Sequence, residues 1–293
     1  MFESCLICTD DKDGLQRFLS YVSALGESGL KEITFLHNVP LWSEGQVPRV
    51  DNEKIALMTE KFNSTLKPSE GVKVNIEITS GLVTENILKA IKKYKPECLI
   101  LGTSLRSVAE GRIFGSTTMS VIEKINIPIM ILRPQLISVY TSEELELRCR
   151  HLNRCWLVPC YDVEKARYLI NQLKTCATGK CSLAPHKYII LAVIDDVSRS
   201  EILVENRIKE VEAKLDKVKQ ELQSLGLEVE VMLKIGNPLL ETLDVALAED
   251  VSAIAVTDDR EYGLLDWTIP SFTQKVLHRS WFPVVFFPYH KDS

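Results

Sequence analysis

Residues 99–134 read LILGTSLRSVAEGRIFGSTTMSVIEKINIPIMILRP and decide the fold class. The stretch opens with an apolar strand that ends at Gly102, continues through a polar loop, and resumes as a helix before a second buried strand at 127–132. A glycine lets the backbone approach a ligand closely, and the amides and dipole of a helix start favour anions. The stretch therefore predicts a phosphate-type anion site in an α/β fold.

The bulk composition bounds the class of protein. The chain has 293 residues, 45% of them hydrophobic, and a formal net charge of −5. That length accommodates two α/β domains with real cores, and the acidic balance argues against partners that are nucleic acids or anionic membranes. The N-terminus MFESCLICTD lacks the basic region of a signal peptide, and no apolar run reaches membrane length. We expect a cytoplasmic protein.

The cysteines and histidines do not indicate a metal site. Cys5 and Cys8 lie three apart in a strand-like run, so their side chains point to opposite faces. Cys176 and Cys181 flank a glycine-containing loop; we expect two reduced thiols, with a disulfide as the alternative. The five histidines include no pair at metal-ligand spacing, and His37 is expected to be a structural core residue.

Strands and helices alternate on both sides of the opening stretch. Predicted strands lie at 4–9, 33–39, 72–78, 98–101, 155–160, 187–194, 229–233, 253–256 and 284–287. Alternation of this kind predicts parallel sheets with right-handed crossovers. The charged stretch at 135–154 interrupts the pattern. We therefore predict a first domain at 1–134, a linker at 135–154 and a second domain at 155–293.

The two halves are related as a repeat. Five positions correspond at the same interval of 155, four of them with the same residue: Gly81 and Gly236, Ser116 and Ser271, Val121 and Val276, Pro128 and Pro283, together with Gly102 and Thr257. A shared interval without gaps indicates two copies of one domain.

One predicted helix, at 200–225, is unusually long. It carries an apolar seam at alternating spacings of three and four: Ile208, Val211, Leu215, Val218, Leu222 and Leu225. About three heptads favour a helix packed on its own sheet over a coiled coil. We expect its C-terminal half to overhang the sheet and offer a surface to a partner.

A family resemblance rests on these motifs together. The first strand ends at Asp10, the second is LHNV at 36–39, and a glycine-spaced loop from Gly102 to Ser116 precedes Pro128-Ile129. This arrangement resembles the universal stress protein family over nearly the whole chain, as a tandem pair. The resemblance implies two tandem five-stranded parallel α/β domains, Rossmann-like and similar to adenine-nucleotide hydrolases, with strand order 3-2-1-4-5 and ATP held over the carboxyl ends of the strands.

The resemblance also implies roles for individual residues. Asp10 would face the adenine or ribose, and the backbone near Asn38 would meet the base. The phosphates would be held by the loop residues Gly102, Gly115, Ser116 and Thr117, with added charge from Arg106. We therefore expect ATP or another adenine nucleotide, with or without Mg²⁺, in the first domain. No catalytic residue and no protein metal ligand is assigned.

Two departures weaken this expectation. Leu105 occupies the position of the family's second glycine, and a leucine forced to positive φ there costs about 1 kcal/mol. The alternative is a plain strand-to-helix connection capped by Ser116. In the second domain Thr257, Arg260 and Pro270 replace the glycines and the following loop is acidic, so we expect no ordinary ATP site there.

These inferences converge on a tandem universal stress protein that acts as a stress-response binding or signalling module. The alternatives are a nucleotide-free module that binds proteins or small ligands, and a weak ATPase. We expect no enzymatic activity beyond slow ATP hydrolysis. Protein partners are expected, together with an intrachain pseudo-dimer through the edge strands at 127–132 and 283–287 and association of two chains as a homodimer.

Overall fold

The computed structural model describes residues 2–9, 14–42, 48–102, 120–122, 124–160, 166–178, 187–195, 201–257 and 271–288. The chain divides into two compact units, one formed by residues 2–152 and one that begins at Asn153. No helix among these residues is both long enough and apolar enough to cross a membrane.

The first unit is a five-stranded α/β domain. Its strands are β1 Ser4–Thr9, β2 Glu32–Val39, β3 Lys73–Ser80, β4 Cys98–Gly102 and β5 Ile129–Leu132. Its helices are a 3₁₀ helix Leu15–Tyr21, α1 Val22–Glu27, α2 Asn52–Thr65, α3 Val83–Tyr94, α4 Pro134–Val139 and α5 Ser142–Arg150. The strand order is β3-β2-β1-β4-β5 and every adjacent pair is parallel.

The second unit repeats this architecture. Its strands are β6 Cys155–Cys160, β7 Lys187–Ile194, β8 Glu228–Ile235, β9 Ala253–Thr257 and β10 Val284–Phe287. Its helices are α6 Arg167–Thr178, α7 Glu201–Gln223, α8 Pro238–Ala248 and α9 Phe272–Arg279. The order is β8-β7-β6-β9-β10, again with parallel neighbours. The predicted tandem parallel α/β fold is confirmed.

The cores are built from strands that are apolar on both faces. Strand β6, CWLVPC, is buried at every position, and β7 is buried from Tyr188 to Ile194. Trp156 and Tyr188 are fully buried and meet edge to face with ring centroids 6.4 Å apart. Helices on both faces of a parallel sheet require such continuous apolar strands, which is why no inside–outside alternation marks them in the sequence.

The repeat extends to backbone detail. Strands β7, β8, β9 and β10 begin and end 155 residues after β2, β3, β4 and β5. Gly71 and Gly226 both have φ of 80°, and Lys95 and Asp250, also 155 apart, have φ of 49° and 50°. Strand β6 follows β1 by only 151 residues, so the first connection of the second unit is four residues longer. The two copies of one domain therefore share their strand limits and these turn conformations from the second strand onward.

The segment predicted as a linker, 135–154, packs on the first unit. Helix α5 starts with a capping box between Thr141 and Glu144, and its apolar side chains Leu145 and Cys149 are buried. The Arg17 guanidinium donates to the carbonyl oxygens of Ile137 and Tyr140. The sequence does not indicate this packing because α5 is mostly charged. Only its Leu145 and Cys149, four residues apart on one helix face, are buried against the domain.

The C-terminal half of the long helix α7 does not overhang the sheet as predicted. Leu215 and Leu222, in its C-terminal half, are buried, and the helix packs on β7 and β8. The prediction that the C-terminal half overhangs the sheet is therefore wrong, because the apolar seam is used for packing on the helix's own sheet.

The strand residues Cys5, Cys98, Cys155 and Cys160 are buried free thiols, whereas Cys8 is half-buried. Burial raises the pKa of the Cys160 thiol to about 12 and holds that of Cys5, which pairs in register with Cys98, well above its usual value. The thiols of Cys176 and Cys181 lie outside the described part of the structure.

A left-handed residue after α3 allows a stability test. Lys95 has φ of 49° and ψ of 51° and is exposed. Lys95→Gly is expected to raise the free energy of unfolding by about 0.5–1 kcal/mol, because glycine adopts this conformation without a steric penalty. The matched control, Lys92→Gly, makes the same chemical change inside α3 and is expected to lower it by about 1 kcal/mol. Urea unfolding measures both, and a loss of stability in Lys95→Gly would contradict the prediction.

Candidate functional site

The first unit has a topological switch point between β1 and β4. These strands are neighbours, but β1 is followed in the chain by β2 on one side and β4 by β5 on the other. Connections that leave in opposite directions open a crevice outside the carboxyl ends of the strands. Thr9 and Gly102 end the two strands. The crevice therefore lies where the sequence predicts the anion site.

Most of the predicted site residues lie in the two stretches of sequence that follow these strands. Asp10, Arg106, Gly115, Ser116 and Thr117 lie outside the described residues. Of the predicted set, the structure places Asn38 and Gly102. Residues 120–122 are helical, and Val121 and Ile122 are buried in the core.

Strand β2 forms one rim of the crevice. Its pairing with β1 ends at Thr9 with His37, whereas its pairing with β3 continues to Val39 with Ser80. The last two residues of β2 therefore extend past the end of β1, and the backbone of Asn38 lies at the rim. The family resemblance predicts that the backbone near Asn38 contacts the base of a nucleotide.

The Asn38 side chain is engaged in a polar network. Its Nδ2 donates to the Gly81 carbonyl oxygen at 3.2 Å, and its Oδ1 accepts from Asn86 Nδ2 at 2.7 Å. Asn86 Nδ2 also lies 3.0 Å from the Ser80 carbonyl oxygen. Gly81 has φ of 109°, a conformation that favours glycine. The Asn38 side chain thus braces the turn after β3.

The floor beside this rim is closed by His37. Its side chain is 1% exposed, its Nδ1 lies 3.1 Å from the Thr9 hydroxyl, and its ring lies 5.2 Å from the Phe62 ring. The expectation of a structural histidine is confirmed by this burial. The hydrogen bond between Thr9 and His37 joins the end of β1 to β2, and Asp10 is the next residue in the sequence.

The switch point of the second unit is built differently. Thr257 stands 155 residues after Gly102, and its hydroxyl donates to the Phe287 carbonyl oxygen at 2.9 Å. The Thr257 carbonyl oxygen in turn accepts from the buried Thr273 hydroxyl at 2.6 Å. Two hydroxyl groups therefore join the ends of β9 and β10 to α9, at the place where the first unit has a glycine.

The helix start in the second unit caps itself. The Ser271 hydroxyl accepts from the Gln274 amide at 3.2 Å, and Gln274 Oε1 accepts from the Ser271 amide at 3.0 Å. This reciprocal capping box engages two of the amides at the helix start, which would otherwise be available to an anion. Ser271 is the counterpart of Ser116, the serine that is predicted to bind phosphate in the first unit, and here its hydroxyl and amide are bonded within the protein.

Sequence reasoning missed Asn86, the residue that orients Asn38. A signal was present: Asn86 is a polar residue on a helix that follows a glycine turn, and the repeat places Glu241 in the same position. The Glu241 carboxylate lies against Gly236, where an added Cβ would come within 2.7 Å of Oε1. Both units thus place a polar helix side chain on the glycine turn.

The comparisons with known proteins agree with this architecture. A model of the universal stress protein family matches residues 1–133 and 185–288. The chain belongs to the universal stress protein family. Because the family model matches twice, it is a tandem universal stress protein.

Solved structures share this tandem fold. A universal stress protein from Archaeoglobus fulgidus DSM 4304 is 15% identical, with a TM-score of 0.59, over 99% of this chain and 98% of that chain. A protein from Pseudomonas aeruginosa UCBPP-PA14, provisionally described as a universal stress protein, is 12% identical, with a TM-score of 0.57, over 98% and 93%. At these identities the likeness supports the fold alone. The search of curated proteins gave no significant match.

The Asn38 network leads to a pH-dependent prediction. In Asn38→Asp a carboxylate replaces the donor to the Gly81 carbonyl oxygen, so the free energy of unfolding should fall by about 1–3 kcal/mol at pH 7. The folded-state pKa of the new carboxyl would be raised, because only the protonated form can donate. The loss should therefore be complete above that pKa and shrink as the pH falls through it.

Denaturant unfolding at pH 7 and pH 4.5 measures this effect. Asn52→Asp is the matched control, because Asn52 is exposed in the first turn of α2, where a carboxylate is neutral or slightly stabilising. Equal losses at the two pH values would exclude the assigned donor role of Asn38.

Proposed function

We propose that the first domain of this tandem universal stress protein binds an adenine nucleotide, ATP in particular, and that the chain serves as a cytoplasmic stress-response binding module. The observation that carries the proposal is the difference between the two switch points. The first ends β4 in a glycine, whereas the second fills the same place with the Thr257 and Thr273 hydroxyls and a closed capping box.

The described rim suits a nucleotide base. The backbone of Asn38 extends past the end of β1, and its position is held by the side-chain contacts with Asn86 and Gly81. A base recognised through backbone groups needs a rim that does not reorganise on binding, since ordering a loop costs affinity. The side-chain brace supplies that rigidity.

The phosphates are assigned to the loop and helix start beyond β4. Gly102 would permit close approach, and Gly115, Ser116 and Thr117 would supply backbone amides and two hydroxyls at the helix start that the sequence predicts. Arg106 adds positive charge, and Asp10 is assigned to the ribose or adenine. Mg²⁺, where present, would be bound by the phosphate oxygens, since Mg²⁺ is commonly held by substrate phosphates.

The second domain is proposed to carry no nucleotide. The hydroxyls of Thr257, Thr273 and Ser271 are all engaged with backbone groups, and binding a phosphate there would break the capping box. The acidic residues Asp258 and Asp259 that follow β9 also disfavour an anion. We therefore propose one nucleotide per chain.

Titration calorimetry of the full chain with ATP tests the phosphate assignment. We expect a stoichiometry near one. Ser116→Ala is expected to weaken binding about tenfold or more, because a hydrogen bond to a charged group contributes about 1.5–3 kcal/mol. Ser271→Ala, the matched control in the second domain, removes a cap worth about 1 kcal/mol of stability and should leave the affinity for ATP unchanged.

Three outcomes would contradict the proposal that only the first domain binds a nucleotide. Absence of both binding heat and a thermal shift with ATP, AMP and cyclic AMP would favour a nucleotide-free interaction module. A stoichiometry of two, or equal effects of the two serine variants, would show that the domains do not differ in the proposed way.

Leu105 allows a gain-of-function test. It occupies the position of a family glycine, three residues after Gly102. Leu105→Gly is expected to increase the affinity for ATP several-fold, because a glycine takes up positive φ without strain and clears space for a phosphate. Leu105→Ala is the control that removes bulk and keeps a Cβ. If Ala and Gly raise the affinity equally, bulk alone is the obstacle; if neither does, the loop does not bind phosphate as proposed.

A further inference from the structure

Helices α8 and α9 of the second domain are neighbours on one side of its sheet. Helix α8, PLLETLDVALA, is apolar on more than the face it buries. Leu239, Val245 and Ala246 point into the core, whereas Leu240 is 55% exposed and Leu247 is 76% exposed. The outward side of a surface helix normally carries charged and polar residues, so two exposed leucines there depart from the usual pattern.

The repeat supplies an internal comparison for this surface. Helix α3 occupies the same place in the first domain, and the counterparts of Leu240 and Leu247, 155 residues earlier, are Glu85 and Lys92. Glu85 forms an i,i+4 ion pair with Lys89 at 3.9 Å. The same backbone position is therefore an ordinary charged surface in one copy and an apolar one in the other. The fold does not require exposed leucines here.

Charged residues border the apolar positions. Asp244 lies between the two leucines on the exposed side of α8, and Lys275 and Arg279 are exposed on α9. None of these three side chains forms an ion pair with another described residue. One helix thus presents a carboxylate and its neighbour presents two cations.

A surface with a negative charge on one helix and positive charges on the adjacent helix is complementary to a second copy of itself when a two-fold axis exchanges the two helices. A two-fold axis through the groove between α8 and α9 would seat α8 of each copy on α9 of the other. Asp244 would then meet Lys275 and Arg279 of the partner copy, and the leucines would cover the aliphatic stems of those side chains. Trp281, 71% exposed just after α9, would extend the apolar contact.

We propose that the outward face of α8 and α9, centred on Leu240 and Leu247, is a self-association surface that binds a second copy of this chain. The inference does not depend on nucleotide binding. An 11-residue helix is about 16 Å long and adjacent helices lie about 10 Å apart. That face is small for a protein interface, so the dimer should be weak and concentration-dependent.

Sedimentation equilibrium of the full chain over a concentration series is the first test. We expect a reversible monomer–dimer equilibrium. The double variant Leu240→Glu, Leu247→Lys, which installs the residues of α3, should raise the dissociation constant at least tenfold. The control is Leu57→Glu, Val139→Lys, which changes two equally exposed apolar residues of the first domain and should leave the equilibrium unchanged.

A charge exchange makes the test specific to this pairing. The variants Asp244→Lys and Lys275→Asp, Arg279→Asp should each fail to self-associate, because like charges would meet at both symmetry-related contacts. An equimolar mixture of the two should form a heterodimer, because opposite charges then meet at both contacts.

The proposal fails if the wild type stays monomeric throughout the concentration series. It also fails if a wild-type dimer is unaffected by the leucine variant, or if the mixture of charge variants does not associate. Circular dichroism melting of each variant distinguishes loss of association from loss of folding, and the heterodimer requires two folded chains.

Discussion

The parallel pairing of β1 with both β2 and β4 is the constraint on which the candidate site depends. Because β1 leads in the chain to β2 on one side and β4 leads to β5 on the other, the strand order places a crevice at their carboxyl ends. The pairing also sets how far β2 extends past β1, and that length decides which backbone groups stand at the rim. A slip of one residue in this register would turn every side chain of β2 to the opposite face of the sheet and remove His37 from the floor.

The two domains show how one backbone carries different sites. From the second strand onward they share strand limits and unusual torsion angles, yet they differ where the strands end. A glycine ends β4, whereas a threonine ends β9 and donates to a neighbouring strand. Because such end residues contribute little to the core, they can differ without disturbing the fold. The same freedom accounts for the contrast between the charged surface of α3 and the apolar surface of α8.

Much of the fold could be predicted from sequence because apolar runs and glycine turns recur at one interval. The limits of β2, β4, β9 and β10 fall within one or two residues of their predicted positions. The segment at 135–154 was harder, because Leu145 and Cys149 are a weak signal amid charged residues. Of the predicted site residues, the structure places Asn38 and Gly102 at the carboxyl ends of β2 and β4. The hydrogen bond from Asn86 to Asn38 joins residues 48 positions apart, so the sequence offers Asn86 only as a polar residue after a glycine turn and does not name its partner.

The sequence by itself determined the class of fold, the duplication and the family, since hydrophobic periodicity and repeated spacing are properties of the chain alone. Only the tertiary structure decided which polar groups are already satisfied. In the sequence Ser271 corresponds to Ser116, the predicted phosphate-binding serine. In the structure the Ser271 hydroxyl and amide both bond to Gln274 within a capping box. The exposure of Leu240 and Leu247 was likewise undecidable from the pattern. Hydrogen-bond partners and solvent exposure depend on which distant residues fold against a group, and that information exists only once the chain is packed.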